Sequence, residues 1–170
     1  MTWGDFMISD KKIFKKKVFT ALLTILTIAY IFFIWIHSFM SAEASTVEST
    51  SVLNFVQVFL RNLGFSLELT DHIIRKAAHF CEFALLGALV LWNSYLFNKS
   101  IIKNILSCGF ICLATATIDE YIQLFSPGRA GMVTDIILDF SGVIAGYLFF
   151  ILVYCIYINI KNRERGKLNG

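Results

Sequence analysis

The chain has 170 residues, of which 57% are hydrophobic and 16% charged, well under the roughly 25% charged residues of soluble domains. This composition excludes a disordered chain or a low-complexity linker, and it argues against a soluble globule because the apolar residues come in blocks of membrane-spanning length. The formal charge of +3 does not indicate nucleic acid, since the basic residues sit in short runs beside those blocks.

The first apolar block runs from Val18 to Ile36, 19 residues without a charge. As a helix it covers about 29 Å, the thickness of the hydrocarbon core. The lysines before it and Ala42-Glu43-Ala44 after it resemble a signal peptide with a cleavage site. The block is longer than an ordinary signal core, so an uncleaved anchor is expected. From Val52 to Leu63 the residues Val52, Val56, Phe59 and Leu63 recur at helical spacing. That spacing predicts an amphipathic helix, lying on the membrane or packed over the bundle. Thr70 is placed to cap the next helix, with Asp71 in its first turn.

The second block covers Ala77 to Phe97 and is interrupted by His79 and Glu82. The third covers Ile101 to Ile118, and the fourth Ile136 to Ile160 with Asp139 near its start. Backbone polar groups in lipid must be satisfied within the segment, so these blocks are predicted to be helices. The expected fold is all-α, one domain over residues 1–170. It is a bundle of four transmembrane helices, at about 18–36, 77–97, 101–118 and 136–160, with an external interfacial helix. Cys81, Cys108, Cys112 and Cys155 all fall in apolar segments and are read as ordinary buried residues.

Eleven of the 15 Lys and Arg residues precede the first span, flank the turn between the second and third, or follow the fourth. The positive-inside rule therefore predicts both termini in the cytoplasm. It also brings one set of polar residues to the external face. Arg75, His79 and Glu82 stand on one stripe of the second helix. Asp119, Glu120 and Gln123 end the third. A turn at Phe125 to Gly131 carries Arg129, and Asp135 and Asp139 open the fourth helix. Such groups are costly in hydrocarbon unless they pair or line a wet cavity. A structural salt-bridge network is the plainer reading and an outward-facing pocket the functional one. Within that network His79 and Arg75 are candidate partners for Glu82, and Arg129 for Asp135 or the Asp119–Glu120 pair. Gly142 and Gly146 form a G-x-x-x-G pair, and with Ala84, Gly87 and Ala88 on the second helix they are read as packing surfaces.

These residues carry a family pattern. Arg75-Lys76-Ala77-Ala78-His79-Phe80-Cys81-Glu82-Phe83 opens it, Asp119-Glu120-Tyr121-Ile122-Gln123-Leu124-Phe125-Ser126-Pro127-Gly128-Arg129 follows, and Asp135, Asp139 and Gly142 close it. From about Phe33 to Phe150 the chain resembles the VanZ-like family, named for a membrane protein associated with resistance to the glycopeptide teicoplanin. Family members usually carry Asn or a similar residue where Ser141 stands. The resemblance implies a multi-pass protein of a bacterial cytoplasmic membrane that acts on the cell envelope. It fixes no reaction.

Two functions fit the pocket. In the first it binds or modulates an anionic lipid, a lipid-linked precursor or a lipoglycopeptide, with Arg75, Gln123, Arg129, Asp135 and Asp139 as ligand-binding candidates. In the second the chain is a membrane hydrolase or transferase acting on a lipid-linked phosphate, with His79 or Glu82 as general base and Asp119 or Glu120 as acid. Whether it is an enzyme stays open. The inner halves of the spans hold almost no ionisable groups, which argues against transport by a monomer. There is no H-E-x-x-H and no nucleotide or redox motif, so no cofactor is expected. A divalent metal on His79, Glu82, Asp119, Glu120, Asp135 or Asp139 is the alternative.

Overall fold

A computed structural model describes residues 3–65, 69–98 and 100–168. It contains five helices: α1 Trp3–Ser38, α2 Ala42–Asn62, α3 Asp71–Asn98, α4 Ile101–Gln123 and α5 Val133–Leu168. Four of them, α1, α3, α4 and α5, are long and apolar enough to span a membrane, and α2 is the additional helix. Lys99 lies outside the described residues, as do the side chains of Lys11, Lys12 and Lys167.

Each spanning helix extends beyond its apolar block. Thr70 caps α3 as expected: the Ile73 amide donates to its Oγ1 at 3.4 Å and the Ile74 amide to its carbonyl at 3.1 Å. The helix therefore starts at Asp71, and Arg75 and Lys76 belong to it. Helix α4 runs on past Ile118 and carries Asp119, Glu120 and Gln123 in its last turns. Four helix ends, those of α1, α3, α4 and α5, gather the polar residues at one end of the bundle. The first turns of α1 and the last turns of α5 lie at the other.

Helix α2 covers the predicted amphipathic stretch and starts earlier than it. It begins at Ala42, capped by Ser41, and ends in a Schellman motif with Gly64 at φ 86°. It packs on α3 through a face of small hydroxyl residues, with Ser45 and Ser49 buried and the Thr50 hydroxyl donating to Asp71 Oδ1 at 3.1 Å. Of the apolar residues at helical spacing, Val56 is half-buried, but Val52, Phe59 and Leu63 are exposed together with Phe55. Hydroxyl side chains permit the closer approach because they are short and bond to their own helix, as the Ser49 hydroxyl does to the Thr46 carbonyl.

Helix α3 is the hub and touches all four others. Its contact with α5 is the tightest. Cβ atoms placed on Gly142 and Gly146 would stand 2.4 Å from the Phe80 carbonyl oxygen and 1.9 Å from that of Ala84. One on Gly87 would meet the Val143 carbonyl oxygen at 2.6 Å. The small residues read from the sequence as packing surfaces are where the two backbones meet. Phe83, Leu86, Leu91, Cys108, Cys112 and Val143 form the centre of the core. Cys108 and Cys112 are buried as expected. Cys81 and Cys155 are instead exposed, because their positions turn to the lipid-facing side of α3 and α5. Long apolar side chains cover the outside of the spans, as a bundle in lipid requires.

Candidate functional site

The polar end is held together by the turn between α4 and α5. The Arg129 amide donates to the Ser126 carbonyl at 3.1 Å, with Pro127 and Gly128 between them and Gly128 at φ 75°. Proline followed by a residue of positive φ is the arrangement of a type II turn. The turn docks on the junction of α1 and α2. Ser126 Oγ donates to the Ser38 carbonyl at 2.8 Å, and the Ala42 amide to the Pro127 carbonyl at 3.0 Å. Anchored in this way, the turn carries Arg129 to the cavity wall.

Asp119 and Asp139 are buried to 0% and 1% exposure at the level where α1, α3, α4 and α5 meet. Asp119 accepts hydrogen bonds from the Ser38 hydroxyl and, at 3.0 Å, from Gln123 Nε2. His79 lies between the two aspartates. Its Nδ1 is 4.0 Å from Asp119 Oδ2 and 3.9 Å from Asp139 Oδ1. Both distances exceed a hydrogen bond. Among the described residues, His79 Nδ1 and both Asp139 oxygens are buried without a hydrogen-bond partner.

The other acids are engaged. Glu120 Oε2 accepts the Met132 amide at 2.9 Å and its Oε1 accepts Gln123 Nε2 at 3.3 Å, so this side chain ties the loop before α5 to α4. Asp135 pairs with Lys76 at 2.8 Å, not with Arg129. Glu82 is not partnered by His79 or Arg75. Its Oε1 is 3.6 Å from His37 Nδ1, and His37 Nε2 is 3.3 Å from Glu48 on α2. One turn of helix beyond His79, the Glu82 side chain faces α1 instead of the α4–α5 loop. The single stripe of Arg75, His79 and Glu82 thus serves two neighbours.

Beside the aspartates lies a cavity of about 260 Å³, lined by Arg75, Lys76, His79, Arg129, Asp135 and Asp139 among others. Glu120 and Gln123 also reach it, whereas Glu82 does not. Among the described residues no carboxylate lies within 4 Å of the Arg75 or Arg129 guanidinium. Burial, and after it the Arg75 charge, pushes the Arg129 pKa below its ordinary value, yet a guanidinium stays protonated. A larger groove of about 910 Å³ runs along α3 and α5 toward the terminal end. It is lined by Trp92, Tyr95, Phe150 and Tyr154 with Lys16 and Lys161, and it holds neither acid nor imidazole.

Sequence reasoning did not single out Ser38, His37 or Lys76 as parts of this site. The available signal was depth. His37 and Ser38 directly follow the first apolar block, at the polar end of the bundle, and Lys76 directly precedes the second block and lines the cavity.

Glu120→Ala should lower stability by about 0.5–1.5 kcal/mol, because it removes the acceptor of the part-buried Met132 amide bond that ties the loop to α4. Glu120→Gln keeps an acceptor and should cost less. Thermal unfolding in detergent compares the two, and equal losses would show that the amide bond to the loop contributes nothing.

Fold and site define a multi-pass helical membrane protein with a buried acid–imidazole cluster beside a cavity lined by both basic and acidic side chains. The chain belongs to the VanZ/LLP1 family, whose sequence profile matches residues 20–154. That range contains the Phe33–Phe150 stretch over which the resemblance runs. No curated protein and no solved structure matches the chain.

Proposed function

We propose that this chain binds the phosphate-bearing headgroup of an anionic lipid or a lipid-linked envelope precursor in the cavity at the polar end of the bundle. The cavity then opens to the outer leaflet of a bacterial cytoplasmic membrane, with both termini in the cytoplasm, as the lysine distribution favours. The observation that carries this reading is the pair of cavity-lining guanidiniums, Arg75 and Arg129, left without carboxylate partners while Lys76 takes Asp135. Guanidinium groups bind phosphate through paired, charge-assisted hydrogen bonds. A cavity of about 260 Å³ suits a headgroup and is too small for the body of a glycopeptide. A lipoglycopeptide would engage it through a smaller part.

Native mass spectrometry of protein purified from phosphatidylglycerol nanodiscs tests the proposal. Wild type should retain the lipid, and Arg75→Ala and Arg129→Ala should each bind it roughly tenfold or more weakly, since a charge-assisted bond contributes about 1.5–3 kcal/mol. Equal retention by wild type and the double variant would overturn it. Catalysis on a phosphate ester is the second reading. It is favoured by His79 standing beside two carboxylates at the cavity wall, where it could act as general base. Release of headgroup from labelled lipid, lost in His79→Gln, separates that reading from binding alone.

A further inference from the structure

We infer that His79, Asp119 and Asp139 form the binding site of a divalent transition-metal ion, Zn²⁺ or Mn²⁺, in the wall of the cavity. Each residue offers one ligand atom, and the three atoms lie within 4.8 Å of one another. They come from α3, α4 and α5, and none of the three bonds to another. At 3.9 and 4.0 Å the His79 Nδ1 is too far from either carboxylate for a hydrogen bond and too near to admit another side chain between them.

The second observation is Asp139. Its exposure is 1%, its Oδ1 faces His79 Nδ1 at 3.9 Å, and neither of its oxygens has a donor among the described residues. An unpaired buried carboxylate is among the costliest groups a fold can carry. An ion at the centre removes that cost and gives His79 Nδ1 its partner in the same step. The ligand atoms of a tetrahedral ion with bonds of about 2.1 Å stand about 3.4 Å apart. Side-chain shifts on the order of 1 Å close the site.

The surroundings agree with a metal centre. Ser38 and Gln123 hydrogen-bond to Asp119 and fix its carboxylate, as outer-shell groups do for metal ligands. His79 and Asp139 both line the cavity, which leaves a path for the ion and an open coordination position. One imidazole with two carboxylates favours Zn²⁺ or Mn²⁺ over Ca²⁺ or Mg²⁺. Two carboxylates balance the charge of the ion, so Arg75 and Arg129 still face the cavity as an unneutralised pair.

This inference stands on the three residues alone and does not require the lipid reading. The test is metal content by mass spectrometry after detergent-purified protein is equilibrated with Zn²⁺ or Mn²⁺ and dialysed, with titration calorimetry for affinity. Wild type should hold about one ion per chain. Asp139→Asn and His79→Gln should weaken binding beyond the roughly 10–100-fold that loss of an outer-shell partner costs, and Ser38→Ala should fall within that range. Glu48→Gln, on α2 and outside the cavity lining, should bind as wild type does. His79→Gln carries the test if Asp139→Asn fails to give folded protein. No ion bound by wild type, or binding as tight as wild type in both Asp139→Asn and His79→Gln, would overturn the inference. Phosphatidylglycerol occupancy, read on the same samples, keeps the two proposals apart: ion without lipid leaves the metal site standing and removes the lipid reading, and lipid without ion does the reverse.

Discussion

Gly146→Ala is expected to cause the largest loss of folded protein of any single methyl added to this bundle. Its Cβ would lie 1.9 Å from the Ala84 carbonyl oxygen, 2.8 Å from the Ala84 carbonyl carbon and 3.0 Å from the Ala88 amide nitrogen. All three are backbone atoms of α3 and cannot rotate aside, so α3 and α5 must separate. In a membrane no hydrophobic force between helices compensates for the lost contact, because lipid tails are as apolar as the side chains. Overpacking costs about 1–3 kcal/mol and more where the neighbour is rigid. The gain in helix propensity from Gly to Ala, about 1 kcal/mol, works in the opposite direction. Gly109→Ala isolates that gain: its Cβ meets only the Phe140 ring edge at 4.0 Å. Thermal unfolding followed by size-exclusion chromatography should show Gly109→Ala at least as stable as wild type and Gly146→Ala depleted or aggregated. Equal stability of the two variants would mean that α3 and α5 do not approach as closely as described.

Asp139→Asn is expected to raise stability in protein stripped of metal while abolishing ion binding. The wild-type carboxylate is buried with both oxygens unpartnered. Asparagine has the same shape, carries no charge and brings an amide that can donate to His79 Nδ1 or Asp119 Oδ2. Removing an unsatisfied buried group should stabilise by about 1–3 kcal/mol, seen as a Tm higher by several degrees in chelator. Adding Zn²⁺ should then raise the Tm of wild type and leave that of the variant unchanged, because only a state that binds the ion gains from it. A lower Tm for Asp139→Asn in chelator would show that the carboxylate is already satisfied. Residues that are costly to the apo fold and needed by the ligand are typical of functional sites.

Hydrophobic block length and polar depth are local properties, and they were legible in the chain. Four spans, the Thr70 cap and the glycine surface of α5 all follow from residues within a few turns of one another. So does the gathering of His79, Asp119, Glu120, Arg129, Asp135 and Asp139 at one end, since the depth of each is set by its own helix. The Phe33–Phe150 resemblance rested on the same residues, and the family match covers them.

Rotation of each helix about its axis was not legible, because it depends on which neighbour lies where. The tertiary structure alone decided that Glu82 turns to His37, that Lys76 and not Arg129 takes Asp135, and that Glu120 is bound to the loop before α5. It also decided that α2 packs by its hydroxyl face and leaves Phe55 and Phe59 outward. Sequence by itself determined the spans and brought the polar groups to one level. Only helix packing, set by the close contact of Gly142 and Gly146 with α3, determined that three of those groups share one small space and that two arginines are left to face the cavity.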